Sequence, residues 1–391
     1  MIRVPRIAEL RLAKGWSQER LAVEMERQAP LAGVRLSSTR SALRVKLSRW
    51  ENGRNVPEES SRKLLCWVLD CPEEALGLDD SAAPIDGIDP PPTVPYRGAI
   101  TPETLRIYVT MLDQYAQLDA LVGPLAAVGA VREQLRTLEG MLQQTSGSLR
   151  IEVARVGARY AEFAGWLAQD SGDYAAAASW SSKAADLAAE AGDPLLSSYI
   201  WMRRSNVATD TGHAAEGLLL AHSAVSEAIT SDLRALALRQ QANAHAIAGR
   251  ERDAGIAIDQ ALDEVVSGSE TSGLAPYCGA SYLQSEGAAA WVRLGRPDRA
   301  IALLTEALQQ WPDNQARDRG IGLSRLARAH LLSGDLELAC VVGHQALEAV
   351  QAAISTRAFA ELDLLRKALQ PLRRQHEATE LSDRIRSILS Q

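Results

Sequence analysis

A glycine returns five times along the chain with small residues at fixed distances on either side of it. The anchors are Gly172, Gly212, Gly249, Gly295 and Gly334, spaced 40, 37, 46 and 39 residues apart. Five positions after each comes a small residue, Ala177, Gly217, Ala254, Ala300 and Ala339, and seven further an alanine, Ala184, Ala224, Ala261, Ala307 and Ala346. Seven positions before each stands another, Gly165, Ser205, Ala242, Ala288 and Ala327. Small side chains at these points let two antiparallel helices approach closely while the glycine takes the turn between them. One such hairpin cannot bury its own apolar face, so the five must stack into an array. The surrounding residues are rich in Ala, Leu, Arg and Glu with helical periodicity, and the expected fold class is all-α.

The pattern resembles tetratricopeptide repeats, whose usual period is about 34 residues, so longer loops are expected here. The Trp and Tyr of that family's motif are mostly replaced by Ala and Leu. The recognisable hairpins run over about 158–350. Residues 102–150 read as two further helices, with Pro124 placed to start the second, and 355–391 as a terminal capping pair broken near Pro371.

Before the array the character changes. Residues 79–101 contain Pro84, Pro90, Pro91, Pro92 and Pro95, which exclude helix and favour an extended spacer. They divide a head, 1–78, from a body, 102–391, and 391 residues are more than one core usually serves. The net charge of −7 is unevenly spread. Residues 1–65 carry 14 Lys and Arg against 7 Asp and Glu, a balance of +7, which leaves −14 on the rest. A basic unit for a polyanion attached to an acidic body is the natural reading.

Within the head, Leu10–Leu21 reads Leu-Arg-Leu-Ala-Lys-Gly-Trp-Ser-Gln-Glu-Arg-Leu, with Gly15 placed to end one helix and Ser17 to cap the next. Later comes Ser48-Arg49-Trp50-Glu51-Asn52-Gly53-Arg54, with Pro57 soon after, a helix stop. These phrases resemble the phage-repressor-like (XRE-type) helix-turn-helix. With the array and the Lys63–Cys66 run, the whole chain resembles actinobacterial XRE-type regulators with tetratricopeptide tails. The resemblance implies a sequence-specific transcriptional regulator that binds double-stranded DNA, and a homodimer is expected because one small head makes few contacts and dyad sites need two. It puts the recognition helix at about Ser41–Trp50 and implies DNA contact by Gln18, Arg40, Arg44, Lys46, Ser48, Arg49 and Arg54, with Arg62 a further backbone candidate. Arg suits bidentate reading of guanine; Arg49, beside Glu51, is as well placed for an internal ion pair. Trp50 reads as core. The 29 residues from Leu21 to Trp50 are about twice what the compact motif needs, so a long segment separates its helices.

Arrays of this kind curve with the first helix of each hairpin inside. Groove positions by this resemblance are Arg159, Glu162 and Trp166; Tyr199, Met202, Arg203 and Asn206; Arg239 and Asn243; Tyr282 and Glu286; and Arg325 and Arg328. Asn206 and Asn243 share a repeat position, each with an Arg shortly before it. Asn can bracket a peptide backbone and Arg can meet a carboxylate, so a peptide, small-molecule or protein effector is one reading. Simple solvation of a polar groove is the other.

The chain shows no metal-ligand spacing around Cys66, Cys71, Cys278 and Cys340, which are expected as buried thiols, and no HExxH, Gly-x-Ser-x-Gly or phosphate-loop pattern. Neither catalysis nor a cofactor is expected. No membrane span or secretory leader is legible, and a cytoplasmic site of action follows. The competing class is a protein-interaction scaffold whose head does not bind specific DNA.

Overall fold

In the computed structural model of the chain the described residues are 7–14, 16, 18–32, 34, 43, 46, 47, 50, 51, 57–76, 98–268, 270–311, 316–352 and 355–389. They are all-α and fall into two compact units, residues 1–94 and 95–391.

The first unit contains helices α1 (Ile7–Ala13), α2 (Gln18–Gln28) and α3 (Glu59–Leu69), followed by a 3₁₀ turn, Glu73–Leu76. Leu43, Leu47 and Trp50 are helical and buried. Their spacing puts them on one helical stripe, packed in a core with Leu21, Met25, Leu64 and Leu65. Trp50 is therefore a core residue. The Arg11 guanidinium reaches from α1 to Glu51 with two bonds, Nε–Oε1 2.6 Å and Nη2–Oε2 3.0 Å, and also donates to the Trp16 carbonyl at 2.6 Å. Part of the Trp-Glu-Asn-Gly phrase thus serves the fold of the head.

The second unit is a row of antiparallel hairpins. It opens with α4 (Pro102–Val122) and α5 (Leu125–Gln144). Thr101 caps α4 through the Thr104 N–H, and Pro124 sits at the cap of α5. The repeat glycines then separate α6 (Gly147–Asp170) from α7 (Tyr174–Ala191), α8 (Pro194–Asp210) from α9 (Ala214–Glu227), and α10 (Ser231–Ile247) from α11 (Glu251–Ser267). They likewise separate α12 (Ala280–Arg293) from α13 (Pro297–Gln309), and α14 (Ala316–Ser333) from α15 (Leu336–Ala352). The unit ends with α16 (Thr356–Leu369), a 3₁₀ turn at Gln370–Leu372, and α17 (His376–Leu389).

All five anchors are left-handed, φ +69° to +87°, a conformation that costs a residue with a Cβ about 1–2 kcal/mol. The small residues stand where the helices touch. Ala177, Ala184, Ala224, Ala254, Ala261, Ala300, Ala307, Ala339 and Ala346 are all buried. A Cβ on Gly217 would lie 2.5 Å from Thr209 Cγ2 and 3.3 Å from the Ser205 carbonyl. The hairpin stack is of the tetratricopeptide type that the repeat spacing implied.

Candidate effector site along the inner row of helices

The first helices of successive hairpins, α6, α8, α10, α12, α14 and α16, pack on one another in order along the row. That row carries the residues expected to line a groove, and the array curls far enough for α14 to reach α4 and α6. Arg317, at the start of α14, donates to Asp119 of α4 at 3.1 Å and to Asp170 of α6 at 3.3 Å. All three side chains are at most 8% exposed. Nearby, a Cβ on Gly172 would touch Thr356 of α16.

Most of the predicted groove arginines are engaged by neighbouring helices. Arg203 binds Glu162 (2.9 Å) and Gln169 (2.9 Å). Arg239 binds Glu286 (3.2 Å) and lies against Met202 Sδ and the Tyr282 ring. Arg325 joins Glu286 (2.8 Å) to Glu361 (2.9 Å), which also receives Arg328 (3.0 Å). These pairs form a ladder of guanidinium and carboxylate groups that ties α6 to α8, and α10 through α12 and α14 to α16. Arg159 is looser, 3.5 Å from Asp113.

At Glu286 and Glu162 burial and the neighbouring arginines pull in opposite directions. Burial alone would raise Glu286, but Arg325, Arg239 and Arg357 outweigh it and hold the group at about 2. At Glu162 burial wins, and its pKa stays raised despite Arg203. Asp170 is also raised, by burial first and then by Asp119, with Arg317 and Arg357 opposing.

The 46-residue spacing between Gly249 and Gly295 has a structural purpose. The extra length is the segment 268–279 between α11 and α12. Asp232 holds it by accepting the Ser272 N–H and hydroxyl, the latter at 2.6 Å. Tyr277 then reaches Tyr199, hydroxyl to hydroxyl at 3.1 Å, and stacks edge-on against Tyr282. Burial raises the phenol pKa of all three. The chain's own loop thereby covers Tyr199, one of the predicted groove positions.

Asn243 donates to Thr209 Oγ1 at 3.3 Å, and Asn206 faces the buried Gln240 amide, whose oxygen turns to Arg239. Both are half-buried. The two asparagines stand on adjacent inner helices, each already in a polar contact.

Trp166 is the meeting point of the row. Its Nε1 donates to Asp119 at 3.1 Å. Three guanidinium carbons lie over its ring, Arg203 at 4.8 Å, Arg357 at 5.1 Å and Arg317 at 5.6 Å. Sequence reasoning missed Asp119, Asp170, Arg317, Tyr277, Arg357 and Glu361. The repeat register names inner positions only where a glycine anchor exists. Arg357 and Glu361 lie in a hairpin whose turn carries Pro371 instead.

In the head, Lys46 is helical and half-buried, and Gln18 is the first residue of α2. Arg62 pairs with Glu73 at 3.3 Å. Arg40, Arg44, Ser48, Arg49 and Arg54 lie outside the described residues, as do Gly15 and Ser17. The cysteines are free thiols; Cys340 is buried, whereas Cys66, Cys71 and Cys278 are only half-buried, because each stands at the margin of its core. Among the described residues no group of three His, Cys, Asp or Glu is placed to hold a metal ion, and no helix is long and apolar enough to cross a membrane.

No protein-family model and no curated protein matches the chain. Among solved structures it is similar to NprR in complex with its cognate peptide NprX, at 16% identity over 73% of this chain and 76% of that one, TM-score 0.47. It is similar also to Bacillus thuringiensis PlcR in complex with a peptide and DNA, at 12% over 78% and 93%, TM-score 0.36. A third is BtubC from P. vanneervenii, at 15% over 59% and 91%, TM-score 0.43. At these scores the likenesses carry no functional weight.

Proposed function

We propose that the chain is a non-catalytic, cytoplasmic, sequence-specific DNA-binding regulator. Its XRE-type head reads DNA as a homodimer, and its array holds a peptide, small-molecule or protein effector along the inner row. The head's +7 balance and its Gly-Trp-Ser-Gln-Glu-Arg-Leu and Ser-Arg-Trp-Glu-Asn-Gly phrases support the first half. The observation that carries the second is the convergence of three arginines on Trp166. A half-buried aromatic face with charged groups beside it offers a ligand both apolar surface and polar anchors. Coupling follows by linkage: an effector that fits one curvature of the array better than another shifts the population toward it.

A scaffold role is the second reading. It is favoured by Leu121, Val122 and Leu125, which stand 58–75% exposed at the α4–α5 turn and form an apolar patch suited to another protein surface. Selection of bound DNA from a random duplex pool, repeated with residues 1–80 deleted, separates the two. The regulator yields a dyad motif that requires the head, and Arg44→Ala relaxes one base of it at a cost of about 1–3 kcal/mol. A scaffold yields no motif.

A further inference from the structure

The three guanidinium groups on Trp166 are not equivalent. Arg203 is spent on Glu162 and Gln169, and Arg317 on Asp119 and Asp170. Arg357 makes no hydrogen bond among the described residues. Its nearest carboxylate oxygen, on Glu286, is 4.0 Å away and already serves Arg325 at 2.8 Å, while the other oxygen receives Arg239 at 3.2 Å. The Arg357 side chain remains 25% exposed, so neighbouring side chains do not cover it completely. A guanidinium seated on an indole keeps its edge free for a two-pronged bond to a flat anion.

We infer that Arg357, backed by Trp166, receives the carboxylate of the effector, and that the effector class is a short peptide bound by its free C-terminus. This rests on the effector reading above. The surroundings select among anions. Glu286, Asp170 and Asp318 act on Arg357 and offset the neighbouring Arg203 and Arg317, so no surplus of positive charge favours a phosphate dianion over a singly charged carboxylate. The site also spans the array. Trp166 comes from α6 and Arg357 from α16, so a carboxylate bound to the edge of an Arg357 seated on Trp166 favours the arrangement in which these two helices stay together.

The test uses two pools of random hexapeptides, one with free C-termini and one amidated. Each is incubated with the full-length protein, and retained peptide is measured after gel filtration. The pools differ by one charge, and the protein's −7 works against the acid pool. The expected result is retention of the acid pool roughly tenfold over the amide, unchanged by millimolar inorganic phosphate. Arg357→Gln lowers acid retention to the amide level, and Arg357→Lys restores part of it. Equal retention of both pools by the unsubstituted protein overturns the carboxylate site while leaving a peptide effector standing. So does an acid preference that survives Arg357→Gln, or one that phosphate abolishes. Retention of neither pool removes the peptide reading itself.

Discussion

Glu286 concentrates the electrostatics of the inner row in one side chain. Its lowered pKa means that the folded state gains stability from the ionised form. That contribution is complete above the unfolded value near 4.5 and is lost as pH falls toward about 2. The span corresponds to about 3 kcal/mol. Urea unfolding at a series of pH values should therefore show the native chain losing about that much more than Glu286→Gln over this window. Parallel curves would mean that the three arginines do not act on this carboxylate. In the head, Arg11 and Glu51 form an ion pair whose two side chains are both nearly buried. Removing one member of such a pair leaves the other charge stranded, at about 3–5 kcal/mol. Glu51→Ala is expected to lower the head's unfolding midpoint accordingly; an unaltered midpoint would place Glu51 among surface groups.

At the scale of helices and turns, two glycines in the same repeat pattern work by different physics. Gly334 has φ +87° and open space around its Cβ position, so its role is conformational. Gly217 lies within α9, where a Cβ would strike Thr209, so its role is close packing. Gly334→Ala should cost about 1–2 kcal/mol from the backbone alone. Gly217→Ala should cost about 1–3 kcal/mol from overpacking, and most of that should be recovered when Thr209 is also cut to Ser. Recovery in the double variant, read by thermal unfolding, distinguishes the two mechanisms. No recovery would place the strain of Gly217→Ala on the Ser205 backbone instead.

At the scale of the whole array, Arg317 joins residues 198 and 147 positions away in sequence. A ligand that favours the closed curvature would act on this junction. Arg317→Gln leaves Asp119 and Asp170 facing each other without a cation between them, and like charges at short range repel. Hydrogen exchange should then rise at the end of α4, the end of α6 and the start of α14, with the middle hairpins unchanged. A uniform rise would indicate general destabilisation rather than opening at the junction.

Short-range regularities were legible without coordinates. The five glycines, the small residues around them and the proline-rich stretch each act within about forty residues, where spacing dictates geometry directly. From them follow the all-α class, the hairpins and their turns. Long-range partnerships were not legible, because nothing in local periodicity says how far a stack curves. Only the accumulated rotation of the hairpins brings Asp119 and Asp170 to Arg317, and Arg357 to Trp166. It also decides that most of the predicted groove arginines are used up on neighbouring carboxylates, while Arg357, outside the glycine register, makes no hydrogen bond among the described residues.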